Sequence, residues 1–256
     1  MGEPSWLEIP EGRRIAYHRV SGTDPGIVFL GGFASDMDGI KATHLEAWAR
    51  ARGNAFLRFD YSGHGRSSGA FTNGSIGAWA TDAKAVITTL TEGPQVLVGS
   101  SMGGWIALLM AERMPDRIAG LIGIAAAPDF TEDSMWAGFT EAQRAKLLTE
   151  GQITLPSDYS DQGYTITRRL IEDGRRHLVL RKPLSLPFTT RFLQGTADAD
   201  VSTDVALKLL DHADGPDIRL TLVKGADHRF SGPTELSLIE AALEEVIGRH
   251  RGGEAP

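Results

Sequence analysis

The sequence predicts an α/β protein with a mostly parallel sheet covered by helices on both faces. Short, continuously apolar runs at 26–30 and 118–125 are typical of strands that are buried on both sides. Segments of helical periodicity alternate with such runs, and this alternation is typical of a parallel sheet. The length of 256 residues suits one large domain of this class.

The chain opens with an antiparallel hairpin, in which residues 6–9 and 14–20 flank a Pro10-Glu11-Gly12 turn. Apolar runs predict the later strands, and apolar residues at three- and four-residue spacing predict the helices. The predicted strands cover 26–30, 54–59, 96–99, 118–125, 189–195 and 218–223. The predicted helices cover 40–52, 75–90, 105–110, 202–212 and 236–246.

The alternation of strands and helices breaks once, over residues 129–187. This segment offers helical pieces at 139–149 and 162–175 and shows no strand. It is too long for a connecting loop. We therefore predict a core of 1–128 and 188–250 with a helical lid inserted above the carboxyl ends of the strands, where α/β sheets bind ligands.

Composition excludes several classes of function. The chain contains no cysteine, so disulfides, thiol catalysis and cysteine–zinc sites are absent. A net charge of −7 without a basic stripe argues against a nucleic-acid partner. The first residues lack the features of a secretory signal, and the longest apolar stretch, 118–128, is too short to span a bilayer. We expect a cytoplasmic protein without a membrane span.

The segment Gly99-Ser100-Ser101-Met102-Gly103 lies between a predicted buried strand and a predicted buried helix. In that context Gly-x-Ser-x-Gly predicts a nucleophilic serine on a sharp turn. The register selects Ser101, because Ser100 would need a glycine at position 102. A Cβ at position 99 or 103 would crowd the backbone of the turn.

A serine hydroxyl needs a base, and the base needs an orienting acid. His228 follows the last predicted strand, and the chain order Ser…Asp…His favours it as the base over His64, which precedes the serine. Asp198 lies early in the turn after the strand 189–195 and is favoured as the acid. The alternatives are Asp200, Asp204 and Asp129.

The oxyanion formed by attack on a carbonyl needs two backbone N–H donors. Met102 directly follows the predicted nucleophile, and Phe33 follows Gly31-Gly32, where the backbone is free to approach the site. We expect these two N–H groups to be the donors. The basic cluster of the inserted segment, Arg168-Arg169 and Arg175-Arg176-His177, is expected on a solvated helix face, or otherwise facing the pocket as a site for a substrate carboxylate.

With these residues in place, the chain resembles the α/β-hydrolase superfamily over nearly its full length. Within it, the resemblance is to the mammalian mitochondrial palmitoyl-protein thioesterase and acyl-glucuronide esterase family. The segments that carry this resemblance are Gly39-Ile40-Lys41-Ala42, Arg58-Phe59-Asp60-Tyr61-Ser62-Gly63, Gly93-Pro94-Gln95, Val98-Gly99-Ser100-Ser101-Met102-Gly103-Gly104-Trp105, Leu155-Pro156-Ser157 and Asp227-His228-Arg229.

The resemblance implies an eight-stranded α/β-hydrolase fold with a helical lid. It also implies Ser101, Asp198 and His228 as the catalytic triad and Phe33 and Met102 as oxyanion donors. The chain departs from the family pattern at Gln194, where a histidine usually precedes the glycine. From its first residues we expect no transit peptide.

We expect a serine hydrolase that cleaves carboxylic esters or thioesters through an acyl-enzyme, with neither cofactor nor metal. Its substrate would be a small molecule or an acylated protein. Two alternatives use the same fold. One is a hydrolase of carbon–carbon or amide bonds with the same triad, and the other is a catalytically silent ligand-binding homologue.

Overall fold

A computed structural model describes residues 2–157 and 160–253, so residues 158 and 159 of the predicted insertion lie outside the described residues. The strands are β1 Ser5–Ile9, β2 Arg13–Val20, β3 Thr23–Leu30, β4 Asn54–Phe59, β5 Gln95–Ser100, β6 Ile118–Ile124, β7 Gln152–Ser157, β8 Ser160–Thr167, β9 Leu184–Ser185, β10 Thr190–Gly195, β11 Ala213–Asp214 and β12 Ile218–Val223. The helices are α1 Ile40–Arg52, α2 Ile76–Leu90, α3 Met102–Arg113, α4 Glu141–Glu150, α5 Arg168–Gly174, α6 Thr203–His212 and α7 Pro233–Gly252.

The central sheet has eight strands in the order β1-β2-β4-β3-β5-β6-β10-β12. Strand β2 pairs antiparallel with both β1 and β4, and every later pairing, from β4–β3 to β10–β12, is parallel. The predicted opening hairpin and the mostly parallel sheet are therefore confirmed. The carboxyl ends of β3, β5, β6, β10 and β12 meet at one edge of the sheet.

Helices cover both faces of the sheet, as the sequence predicted. On one face, α2 and α3 bury Trp79, Trp105 and Ile106 against the strands. On the other face, α1 and α7 bury Leu45 and Leu243. Each side chain named here is at most 1 % exposed. Burial of a large apolar side chain contributes about 1.5–3 kcal/mol, so these two layers hold the sheet rigidly beneath its carboxyl edge.

The segment 129–187 is not purely helical, so that part of the prediction was wrong. Strands β7 and β8 form an antiparallel hairpin, and the predicted helix at 162–175 is a strand up to Thr167 and a helix only afterwards. The hairpin pairs Ile153 with Ile166, and both side chains are buried. The hydroxyl of Thr167 then caps α5 by accepting the Leu170 N–H at 3.1 Å. This cap fixes the point at which the strand becomes a helix.

Asp129 fastens the two ends of the inserted segment together. Its buried carboxylate accepts the backbone N–H groups of Val179 at 2.8 Å and Leu180 at 3.0 Å. The guanidinium of Arg181 also donates to it at 2.8 Å. The segment therefore leaves and rejoins the core at one neck. Among the described residues, no helix combines the length and hydropathy needed to cross a lipid bilayer.

The substitution Asp129→Ala should destabilise the fold, because two buried N–H groups and a guanidinium lose their acceptor. We expect the free energy of unfolding to fall by about 2–4 kcal/mol. Urea denaturation followed by circular dichroism measures the change. Asp133→Ala is the matched control, since it removes the more exposed carboxylate that contacts Arg181, and it should cost less than about 1 kcal/mol. Equal effects of the two substitutions would show that Asp129 does not fasten the neck of the segment.

Candidate active site

Ser101 lies on a sharp turn between β5 and α3. Its backbone has φ 55° and ψ −118°, a conformation that is strained for a residue with a side chain. The end of β6 holds this conformation from the adjacent position in the sheet. The Ser101 N–H donates to the Ile124 carbonyl at 2.9 Å, and the Ser101 carbonyl accepts the Ala127 N–H at 3.1 Å.

The two glycines of the motif are required by close backbone approaches. A Cβ at Gly99 would lie 2.4 Å from the carbonyl oxygen of Gly103, in the first turn of α3. A Cβ at Gly103 would lie 2.0 Å from the carbonyl oxygen of Leu30, at the end of β3. Real Cβ contacts do not reach such distances, so the predicted need for glycine at both positions is confirmed. The crowding comes from α3 and β3 as well as from the turn.

His228 and Asp198 lie beside Ser101, as the sequence predicted. The Nε2 atom of His228 is 3.1 Å from the Ser101 Oγ. The Nδ1 atom of the same ring is 2.9 Å from one oxygen of Asp198 and 3.0 Å from the other. The Asp198 side chain is fully buried, whereas the His228 side chain is 17 % exposed. This arrangement orients one ring nitrogen towards the carboxylate and leaves the other facing the hydroxyl.

Asp198 stays ionised because several donors surround it. Burial raises the pKa of Asp198, but the hydrogen bonds from His228, the Val201 N–H and Gln194 outweigh burial and bring the pKa below its ordinary value. Gln194 donates to the carboxylate at 3.0 Å and also to the Val201 carbonyl at 2.9 Å. The sequence alone does not reveal this role, because the contact between Gln194 and Asp198 depends on how the turn after β10 folds.

His64, the alternative base, lies outside this hydrogen-bonded chain. Its Nε2 accepts the Ala34 N–H at 3.2 Å, and its Nδ1 lies 3.3 Å from the Ser62 carbonyl. Burial lowers the pKa of His64 to about 4, although the hydrogen bond to Ser62 acts in the opposite direction. The ring is therefore neutral at pH 7, and it anchors the loop that follows β3.

The three aspartates named as alternatives to Asp198 do not hydrogen-bond to the His228 ring. Asp129 binds the neck of the insertion, and Asp204 lies in the first turn of α6. The Asp200 backbone N–H donates to the Asp198 carboxylate at 2.9 Å. Among the described residues, Asp198, Asp200 and His228 bring possible metal-ligand atoms within 4.8 Å of one another. Both ring nitrogens of His228 already have partners within this site, so the arrangement suits proton transfer better than metal binding.

The predicted oxyanion donors lie next to the nucleophile. Met102 begins α3, where backbone N–H groups have no acceptor within the helix. On the other side, a Cβ at Gly32 would lie 3.4 Å from the Ser101 Cβ, so the loop carrying Phe33 passes directly beside the serine. The Phe33 ring packs edge-to-face against Phe130 and Tyr164 of the insertion.

A cavity of about 570 Å³ opens over Ser101 and His228. Its apolar wall includes Phe33 and Ile40, and the insertion contributes Phe130, Met135 and Tyr164. The predicted position of 129–187 above the strand ends agrees with this lining. The cavity therefore offers an apolar surface beside the serine, and its charged lining residues are Asp36, Lys41, Asp200 and Arg229.

The arginines of the insertion lie away from this cavity, as the solvated-face prediction required. Arg168 pairs with Glu172, Arg175 with Glu132 and Arg176 with Asp173. The basic residues that line the cavity are Lys41 and Arg229 instead. Sequence reasoning missed Lys41, because a lysine in the first turn of an amphipathic helix usually extends into water.

The fold and the site together define the α/β-hydrolases. A model of the family described as serine aminopeptidase, S33, matches residues 24–163. The palmitoyl-protein thioesterase ABHD10, mitochondrial, of Rattus norvegicus is 35% identical over 246 residues, which cover 96% of this chain and 82% of that protein. The Homo sapiens protein of the same name is 32% identical, with 96% and 80% covered.

A solved structure agrees with these relatives. The mouse α/β-hydrolase domain-containing protein 10 superposes with a TM-score of 0.90 at 34% identity and covers 97% of this chain and 99% of its own. The chain belongs to the S33 family of α/β-hydrolases, alongside the ABHD10 thioesterases. It is therefore a hydrolase.

The substitution Gln194→Leu should weaken activity at acidic pH. The hydrogen bond from Gln194 lowers the pKa of Asp198, so its removal lets the carboxyl take up a proton at higher pH. We expect the acid limb of the kcat/KM profile to shift upwards in pH, with the loss of activity confined to acidic pH and little change at pH 7. Gln194→His, which can keep a donor, is the control. An unchanged acid limb in the Gln194→Leu variant would show that Gln194 does not lower the pKa of Asp198.

Proposed function

We propose that the chain hydrolyses carboxylic esters and thioesters through an acyl-enzyme, with Ser101 as nucleophile, His228 as base and Asp198 as the orienting acid. The observation that carries this proposal is the continuous chain of hydrogen bonds from Ser101 Oγ through His228 to Asp198. A serine hydroxyl is a weak nucleophile by itself, and an imidazole at 3.1 Å is placed to take its proton.

In the first half-reaction, Ser101 Oγ attacks the carbonyl carbon while His228 Nε2 takes the hydroxyl proton. The N–H groups of Met102 and Phe33 then hold the negative oxygen of the tetrahedral intermediate. His228 returns the proton to the leaving oxygen or sulfur, and the acyl group stays on Ser101. In the second half-reaction, His228 activates water, which releases the acid and restores the serine. Asp198 stabilises the imidazolium in both halves.

The substrate class follows from the cavity and the relatives. The wall formed by Phe33, Phe130 and Met135 suits an acyl chain, because each methylene removed from water contributes about 0.8 kcal/mol. The ABHD10 relatives are named palmitoyl-protein thioesterases, so we assign fatty-acyl thioesters, including acylated proteins, as the preferred substrates. Amides and carbon–carbon bonds are the alternative substrates, and amides are included in the acyl-length assay below as the comparison.

Two further assignments belong to this proposal. Residues 129–187 act as a lid on the core of 1–128 and 188–250, because Phe130, Met135 and Tyr164 of this segment form one wall of the cavity. The cellular location predicted from the sequence is the cytoplasm, whereas the mammalian relatives are named as mitochondrial. Fractionation of cells that express the chain distinguishes the two locations.

Ser101→Ala should abolish turnover, because it removes the hydroxyl that is hydrogen-bonded to His228 Nε2. Loss of a triad nucleophile reduces kcat by roughly 10⁴-fold or more. Hydrolysis of p-nitrophenyl butyrate and labelling by a fluorophosphonate probe measure the loss. Ser100→Ala is the register control and should still be labelled. Wild-type turnover in folded Ser101→Ala protein would end the proposal.

Activity should rise with acyl length, because longer chains bury more apolar surface against the cavity wall. Between acetyl and octanoyl esters we expect kcat/KM to rise by at least about tenfold. A matched series of oxygen esters and thioesters, with the corresponding amides, measures both acyl length and leaving-group preference. A flat acyl series, or amides cleaved faster than thioesters, would contradict the substrate assignment.

A further inference from the structure

Lys41 connects helix α1 to the loop that carries the base. It is the second residue of α1, and it lines the same cavity as Ser101 and His228. Its ammonium group donates a hydrogen bond to the backbone carbonyl of Arg229, the residue directly after His228. The contact therefore joins the first turn of a helix to the backbone of the catalytic loop, across 188 residues of sequence.

The position of Lys41 is unfavourable for a cation. The N-terminal end of a helix carries a partial positive charge, which repels an ammonium group. Burial lowers the pKa of Lys41 to about 8, with Asp227 acting to raise it and Arg229 to lower it further. A lysine with no local partner would extend into water instead. The hydrogen bond to the Arg229 carbonyl compensates for this placement.

The turn that Lys41 contacts is itself strained. Phe230 has φ 46°, in the left-handed region that residues with a side chain rarely adopt. Its ring is fully buried, and its N–H donates to the Asp227 carboxylate at 3.1 Å. A conformation of this kind persists only where its surroundings hold it. Asp227 holds the turn from within, and Lys41 holds it from α1.

Other contacts fix α1 relative to the segment that follows the turn. His44 Nε2 lies 2.6 Å from a carboxylate oxygen of Glu240 in α7. Further along the same pair of helices, Arg52 and Glu244 form an ion pair at 2.7 Å. These contacts fix α1 against α7. The hydrogen bond from Lys41 can therefore hold the loop that carries His228 at a fixed place relative to α1.

We propose that Lys41 is a positioning residue, which keeps the His228 ring aligned with Ser101 by holding the Arg229 carbonyl. Removal of the ammonium group frees the turn to relax, and the ring moves away from the hydroxyl. This proposal rests on the role of His228 given above. Lys41 itself transfers no proton and forms no bond to the acyl group.

The test compares Lys41→Met with the wild type on a small, uncharged ester, p-nitrophenyl butyrate. We expect kcat to fall by about tenfold, because small misplacements of a catalytic group are costly, while KM stays within about twofold of the wild-type value. The rate of labelling by an uncharged fluorophosphonate should fall by the same factor, since it depends on activation of Ser101. Lys41→Arg should restore most of both rates.

The pH profile gives a readout that a purely structural role would not move. Because the pKa of Lys41 is about 8, the wild-type kcat should decline above that pH, as the ammonium becomes a neutral amine that donates more weakly to the Arg229 carbonyl. In Lys41→Arg, whose guanidinium stays charged, the plateau should extend to higher pH. Arg50→Met, which removes an exposed cation of α1 whose partner Glu46 lies in the same helix, should behave as the wild type.

Three results would overturn the proposal. One is wild-type kcat and labelling in folded Lys41→Met protein. Another is a rise in KM confined to anionic esters, which would make Lys41 a substrate-binding residue. The last is a loss of activity that merely parallels a loss of thermal stability and is not restored by Lys41→Arg. Absence of labelling in the wild type would instead contradict the proposed function, on which the role of Lys41 depends.

Discussion

The carboxyl edge of the parallel sheet is the constraint on which the site depends. Ser101 follows β5, Asp198 follows β10 and His228 follows β12, so residues that are far apart in sequence leave the sheet at the same edge. Because β10 and β12 are direct neighbours, Asp198 and His228 are brought together by strand pairing alone. The imidazole then has to reach over β10 and β6 to the turn after β5, which explains why its loop needs external support.

Backbone strain is concentrated at this same edge. In the described chain, the non-glycine residues with positive φ are Ala34, Ser101, Ala125, Asp129 and Phe230. Each lies within seven residues of the end of a parallel strand. The neutral ring of His64 accepts the backbone N–H of Ala34, at one of these positions, and the buried carboxylate of Asp129, at another, accepts the backbone N–H of Val179. The rigid core therefore stabilises local conformations that favour the geometry of the site.

Most of the core was predictable because its signals are local. Apolar runs and helical spacing located the central strands and helices, and the Gly-x-Ser-x-Gly context located Ser101. The hairpin β7–β8 was missed, because Ile153, Leu155, Tyr164 and Ile166 alternate over only a few residues, and the register that pairs them is not visible in one strand. Lys41 was missed for a related reason, since its partner is a backbone carbonyl, which any residue at position 229 would supply.

The neck at Asp129 also bears on how such enzymes diversify. The two ends of this segment adjoin at Asp129, and its stretch from Asp173 to His177 is held on α2 and α3 by hydrogen bonds to Gly77 and Trp105. One wall of the cavity belongs to this segment, whereas the hydrogen-bonded chain belongs to the core. Exchange of the segment between homologues, cut at the neck, should therefore change which substrates are preferred. The hydrogen-bonded chain from Ser101 to Asp198 would stay in place.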